Sequence, residues 1–449
     1  MLFSAAVIVI ALIALIVYLR IFRLEGMLAL YICGFAAMGL VVQFAGLGWD
    51  TMKSGMFYGV TFVVTAGWMI LAHSRDAVVL PRRFTLAVAL IGFLGILMEL
   101  RLYMYAGQAS GMEQTKWIYV IFTWIIPFWM GVAWPLSLPR LRRFISAMVW
   151  MGIAIALTTL VSWATGHVGT VHEAATRYSA SDRLHGLSFA ITLGLCASAM
   201  LAYIFIANQT RKNIFRDIVC WGGLAVMVIA IALTGTRAPL LFLAMVTVVF
   251  LLLMGGRTSI RIGIGLSVAI VLLLATHTML PETALKRLSS TETGTSSRIV
   301  LIERGLQFAA KNPVWGTPVG FGSATAKQRG GATSHNLTVQ ILMELGIVGL
   351  FCFLVAAIPT ILRWSIAAFR RTPTRLFAAP LLIVFLQVFL MRHSSGNNVL
   401  TEEIWLLFGI MMGHSLTLVR QPVAGGLDTG MPPGAWSAPM DLRRVQPAT

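Results

Sequence analysis

Thr333-Ser334-His335-Asn336-Leu337-Thr338-Val339-Gln340-Ile341-Leu342-Met343-Glu344-Leu345-Gly346-Ile347-Val348-Gly349-Leu350 carries the chain out of its one long polar excursion and into an apolar run. Apolar residues dominate after Asn336, so a membrane-crossing helix is expected to begin there. Asn336, Gln340 and Glu344 recur at i, i+4 and i+8, which places them on one helical face. Side chains that polar avoid lipid and face a bundle interior or a water-filled cavity. His335 stands one residue outside the apolar run, at the mouth of that cavity. The stretch therefore reads as the lip of an active site on one face of a membrane.

The rest of the chain agrees with a membrane setting. Of its 449 residues 58% are hydrophobic and only 11% charged, and the mean hydropathy is +0.84. Soluble globular domains of this size do not have that composition. The apolar runs are continuous rather than alternating, which excludes a β-barrel and predicts an all-α polytopic membrane protein. The net charge of +18 raises the question of nucleic acid. No basic stripe interleaved with aromatics occurs, so nucleic acid is not an expected partner. Cys33, Cys196, Cys220 and Cys352 lie inside apolar runs without CxxC pairing and read as small buried hydrophobes. The N-terminal apolar run has no basic leader and reads as a retained span.

Spans are expected near 2–19, 27–47, 56–72, 84–105, 117–137, 144–165, 184–206, 217–234, 238–255, 262–280, 336–361, 376–391 and 400–419, twelve or thirteen in all. Seventeen Lys and Arg, among them Arg140, Arg142, Arg143 and Arg375, fall in one alternating set of short connections, and seven in the other. The richer set is assigned to the cytoplasm. The expected organisation is a bundle over 1–280, a large outer loop with short amphipathic helices over 281–335, further spans over 336–419 and a disordered cytoplasmic tail over 420–449. The polar chemistry is expected on the side opposite the cytoplasm.

Several cations stand beside spans on that outer side. Arg183 opens the seventh. Thr234-Gly235-Thr236-Arg237-Ala238-Pro239 forms a hairpin between the eighth and ninth, with Pro239 suited to a first helical turn. A cation at a helix start opposes the helix dipole, and an anionic ligand would compensate it. Snorkelling to headgroup phosphates is the competing reading for Arg237. In the loop, Ser297-Arg298 precedes an amphipathic pattern of Ile299, Ile302, Leu306 and Ala309. Asn312-Pro313-Val314-Trp315-Gly316-Thr317-Pro318-Val319-Gly320-Phe321-Gly322 then demands tight turns. Its amides could cradle a phosphate, or it could be a plain surface turn. Lys327 and Arg329 add charge before His335. A histidine at a helix start is often only a cap, but the positive dipole end and nearby cations favour the neutral imidazole that a general base requires. There is no Asp-x-Asp, no Cys/His cluster at metal spacing and no Gly-x-Ser-x-Gly. Neither metal nor cofactor is expected, and a diphosphate would be held by arginine forks.

This ordered set resembles the O-antigen ligases and the superfamily they share with O-antigen polymerases. The carrying residues are Arg183, Gly235-Thr236-Arg237, Arg298 with Asn312-Pro313 and Gly316–Gly322, and His335-Asn336 followed by Gln340, Glu344 and Gly346 to Gly349. The family's usual Ser-Arg-Gly hairpin stands here as Thr236-Arg237-Ala238. The resemblance covers roughly 183–350.

It implies a glycosyltransferase of a bacterial inner membrane that moves O-antigen from undecaprenyl diphosphate to the lipid A-core oligosaccharide, with membrane lipids around it, the active site facing the periplasm and the outer loop of 281–335 periplasmic. Arg183 and Arg237 would stabilise the diphosphate leaving group and His335 would take the acceptor's proton. Arg298, Asn336, Lys327 and Arg329 would hold substrate. Glu344 lies about 13 Å along the helix from His335 at 1.5 Å per residue. It is expected to partner a cation or an amide in the bundle instead. The polymerase uses the same chemistry with a second lipid-linked glycan as acceptor. A flippase or other transporter is the reading from a different class.

Overall fold

The computed structural model describes residues 2–44, 85–106, 120–164, 186–208, 214–234, 236–255, 295–317, 336–393 and 401–416. No β-strand occurs among them, and the chain is an all-α polytopic membrane protein. The helices are α1 (Leu2–Phe44), α2 (Leu86–Ala106), α3 (Ile126–Ala133), α4 (Leu138–Ala164), α5 (Gly186–Asn208) and α6 (Ile214–Leu233). They continue with α7 (Arg237–Met254), α8 (Thr295–Ala309), α9 (Leu337–Phe369), α10 (Arg375–Arg392) and α11 (Glu402–Gly413). Among the described residues, seven helices are long and apolar enough to cross a membrane: α2, α4, α5, α6, α7, α9 and α10. The spans expected at 56–72 and 262–280 lie outside the described residues, as does the tail.

α5 is the hub, with α4, α6, α7 and α10 packed around it. Its side chains from Phe189 to Ala207 are almost all buried, which requires apolar residues on every side of the helix. α9 shows the opposite arrangement. Ile347, Phe351, Val355, Ile358, Leu362 and Ile366 are exposed and recur every three or four residues. That stripe costs nothing against lipid tails, which are as apolar as the side chains themselves. Buried hydroxyls of Thr159, Thr247 and Thr360 turn back to carbonyls four residues earlier, at 2.7, 2.7 and 2.8 Å. In a dry interior each such hydroxyl needs a partner.

Three boundaries differ from expectation. α1 runs through both predicted N-terminal spans, broken only at Arg23 (φ 53°, ψ −131°). Arg140, Arg142 and Arg143, expected in a connection, lie in the first two turns of α4. Glu25 accounts for two of them: it is 1% exposed and bridges Arg140 at 3.4 Å and Arg143 at 3.2 Å, while Arg142 is exposed. Within the expected 117–137 span, the described residues form a π-helical turn, Ile121–Ile125, followed by the short α3. Trp134 precedes Pro135 and adopts extended backbone (ψ 125°), which ends the helix.

α11 is also shorter than expected, at 12 residues. It packs against α3 at glycine contacts. A Cβ on Gly409 would stand 2.1 Å from the Phe128 carbonyl oxygen, and one on Gly131 would stand 2.3 Å from that of Leu406. Trp124 of the π turn stacks on Trp405 of α11 at 3.9 Å. Cys33, Cys196 and Cys220 are buried free thiols as expected, while Cys352 is only half-buried.

Candidate active site

Hydrogen bonds at the helix ends show which termini share a side of the bundle. Arg375 opens α10, and its guanidinium reaches the Leu253 carbonyl at the end of α7 and the Ala368 carbonyl at the end of α9, the latter at 3.1 Å. α10 therefore runs antiparallel to both. Its far end meets their beginnings: Gln387 donates to Pro239 O at 3.2 Å, and His393 bonds Thr338 at 3.1 Å. Arg392 pairs with Glu403 in the first turn of α11. Gly194 of α5 abuts Gln387 and Pro239. One end of the bundle thus gathers Arg237, Asn336, Arg392, His393 and Glu403.

Arg237 opens α7, as expected, with Thr236 as its N-cap in extended backbone (φ −98°, ψ 114°). The turn before it is held by Thr234, whose hydroxyl donates to Ile231 O at 2.7 Å and accepts the Thr236 amide at 3.3 Å. A cation is therefore held at the positive end of a helix dipole. Asn336 is the N-cap of α9, its Oδ1 accepting the Val339 amide at 3.1 Å. Gln340 is buried and donates to Glu344 at 3.1 Å, so the polar stripe is real and Glu344 has an amide partner as expected. Arg298 lies in the first turn of α8. His335, Arg183, Lys327 and Arg329 lie outside the described residues.

α9 breaks at Gly346 (φ 67°, ψ −167°). The strap Asn312–Thr317, which follows α8, is spliced into the break. Ile347 and Val348 donate to Pro313 O and Val314 O at 2.8 and 3.4 Å, and Thr317 N donates to Met343 O at 2.7 Å. Gly316 N donates to Asn312 O at 2.8 Å. The amides of Gly316 and Thr317 are thus committed to backbone carbonyls, and residues 318–322 of the Gly-rich stretch lie outside the described residues. In α8, Ala309 is buried, but Ile299 and Leu306 of the predicted apolar face are exposed.

Sequence reasoning missed several groups at this end. His393 is the clearest. Its Nδ1 faces the Phe389 carbonyl at 2.7 Å, which can only accept, so Nδ1 carries a proton. In the neutral ring Nε2 then accepts the Thr338 hydroxyl. Burial lowers the pKa of His393 below its ordinary value, while the Phe389 carbonyl works the other way. Gln387 and Arg392 are the others, both buried. Thr236 Oγ1, Gln387 Oε1 and Arg392 Nε find no hydrogen-bond partner among the described residues. Buried polar atoms rarely stay unmatched, so this end has hydrogen-bonding capacity to offer a polar ligand. The adjacent acids Glu402-Glu403 at a helix start were the available signal, since a helix N-terminus favours carboxylates. Among the described residues no three His, Cys, Asp or Glu side chains gather to hold a metal ion.

A polytopic helical membrane protein with arginines and a histidine collected where several helices begin or end is the class that fold and site define. Residues 222–354 match the family model described as O-Antigen ligase. That segment holds Arg237, Arg298, the strap, Asn336 and the break at Gly346, and is similar to the O-antigen ligase family over those residues. No curated protein matches the chain.

Proposed function

We propose that the chain is an O-antigen ligase of a bacterial inner membrane. It moves O-antigen polysaccharide from undecaprenyl diphosphate to lipid A-core oligosaccharide at the periplasmic face. The observation that carries this reading is that the start of α7, with Arg237, and the start of α9, with Asn336, both stand against the far end of α10, inside the family-matched segment.

In the proposed reaction the acceptor hydroxyl attacks the anomeric carbon as its bond to the diphosphate oxygen breaks. The configuration inverts in a single displacement. Charge accumulates on the departing diphosphate, where Arg237 and Arg183 stabilise it. His335 takes the hydroxyl proton. Arg298, Asn336, Lys327 and Arg329 hold substrate, with Asn336 also fixing the helix start that follows His335. Arginine forks, rather than a metal, bind the diphosphate.

A polymerase would use the same groups with a second lipid-linked glycan as acceptor. A transporter needs ionisable groups near the membrane midplane. Among the described residues the buried charged side chains are Glu25, Arg140, Arg392 and Glu403, each at a helix terminus or beside a break, which favours the enzyme.

The test is transfer by the purified protein, with undecaprenyl diphosphate-linked glycan, lipid A-core and EDTA, comparing wild type with His335→Ala and Arg237→Ala. Product from wild type alone supports the reading. Equal transfer by His335→Ala removes the general base. Extension of a second undecaprenyl-linked glycan, with lipid A-core ignored, makes it a polymerase.

A further inference from the structure

The break in α9 is held from three directions, and one residue joins two of them. Arg101, near the end of α2, donates through Nη2 to Gly316 O at 3.0 Å and through Nη1 to Glu344 O at 3.1 Å and to Trp315 O. Two of these carbonyls belong to the strap and the third to the last turn before Gly346. A carbonyl just before a helix break has lost its normal i+4 donor. For Met343 the substitute is the Thr317 amide, and for Glu344 it is the Arg101 guanidinium. A planar fork with several N–H groups in fixed geometry spans carbonyls on two segments better than the single nitrogen of a lysine.

The half-helix before the break, from Leu337 to Leu345, carries the stripe of Gln340 and Glu344 and begins at the Asn336 cap. The residues from Gly346 to Phe369 span roughly 36 Å at 1.5 Å per residue, enough to cross a membrane unaided. The half-helix is therefore not needed for crossing. Its place is set by the strap, by Arg101 and by the contact of Thr338 with His393.

We infer that Arg101 is a positioning residue for the transfer reaction: it locks the strap to the half-helix and so fixes where the start of α9 presents its polar groups. The inference rests on the transferase reading. Misplacing reacting groups by about 1 Å costs about 100-fold in rate. Substrate binding through other contacts need not change, so the loss should fall on kcat.

The experiment compares full-length wild type, Arg101→Lys and Arg101→Gln in nanodiscs by two readouts. One is the transfer kinetics of the assay above. The other is amide hydrogen exchange over 312–317 and 343–348, with α5 as internal control. The expected result for Arg101→Gln is a kcat lower by about 10- to 100-fold, with donor KM within about twofold. Exchange at Thr317, Ile347 and Val348 should quicken while α5 stays protected. Arg101→Lys should fall between. Unchanged exchange in Arg101→Gln overturns the clamp. Faster exchange with kcat intact overturns its bearing on the reaction. An inactive wild type would sink the transferase reading and with it the catalytic half of the inference. Exchange would still decide whether Arg101 holds the strap.

Discussion

Gly346 lies against Val314 so closely that a Cβ on the glycine would stand 2.1 Å from the Val314 carbonyl oxygen. The backbone there is left-handed (φ 67°), so a side chain is excluded by torsion as well as by contact. Gly346→Ala should cost about 3 kcal/mol or more, above the usual range for a single substitution. Gly222→Ala is the control, because nothing lies within 4 Å of a Cβ there. Thermal unfolding in detergent should show a large drop in Tm for the first and almost none for the second. Equal shifts would mean that the strap does not press on the break.

The close approach of α3 and α11 should fail in the same way. Gly409→Ala drives a methyl group into the Phe128 carbonyl, a rigid backbone target. Overpacking of this kind costs about 1–3 kcal/mol. Size-exclusion profiles and Tm should both worsen, and more so for Gly409→Leu. A Gly409→Leu protein as stable as wild type would contradict the packing.

Glu25 is buried and bridges Arg140, itself buried, and the half-buried Arg143. Removing one member of a buried pair leaves a stranded charge and costs about 3–5 kcal/mol. Glu25→Leu should lower the Tm sharply. Adding Arg140→Leu should recover part of the loss, because the stranded charge goes with it. If the double variant is worse than the single by the full cost of Arg140→Leu alone, the two residues are not coupled.

His393 gives stability a pH dependence of known sign. Its folded pKa lies below the ordinary 6.5 because of burial, so the unfolded chain takes up the proton first as pH falls. Its contribution is complete above about 6.5 and disappears as pH falls through the lowered folded value. Tm measured at pH 8 and pH 5.5 should drop more in wild type than in His393→Gln. Parallel drops would assign the acid sensitivity to other groups.

Arg237→Ala should lose transfer by about 100- to 1000-fold, the scale seen when a transition-state donor is removed. Arg237→Lys keeps the charge but not the fork, and should retain intermediate activity. The Tm of each variant in detergent separates catalysis from folding. Activity unchanged in Arg237→Ala would leave this arginine a headgroup anchor.

Local patterns were legible in the sequence; contacts between distant segments were not. The apolar runs announced an all-α membrane protein, and Arg237 with Pro239 marked the start of α7, because those signals are written within a few residues. Asn336, Gln340 and Glu344 share a face for the same reason, and the amide partner of Glu344 is found on that stripe. Gly346 sits in an apolar run that reads as continuous helix. Its break exists only because Pro313 and Val314, more than thirty positions earlier, supply the missing acceptors. Arg101 reads as one more boundary cation until its reach to Glu344 is seen. His393 gained meaning only through Thr338, on another helix. Arg140 and Arg143 read as part of a connection because the acid that pairs with them, Glu25, is far away in α1.

The broken helix also constrains how the protein is made. Bare carbonyls and amides at a break cannot be left in lipid, and α9 supplies no local partners for its own. The residues that satisfy them, Arg101 and the strap from Pro313 to Thr317, all precede Gly346 in the chain. A ribosome therefore delivers every partner before the break itself emerges, and α9 can be completed as it enters the membrane. A circular permutant starting between α8 and α9 would reverse that order. It would send an unsatisfied helix into the bilayer ahead of the segment that completes it.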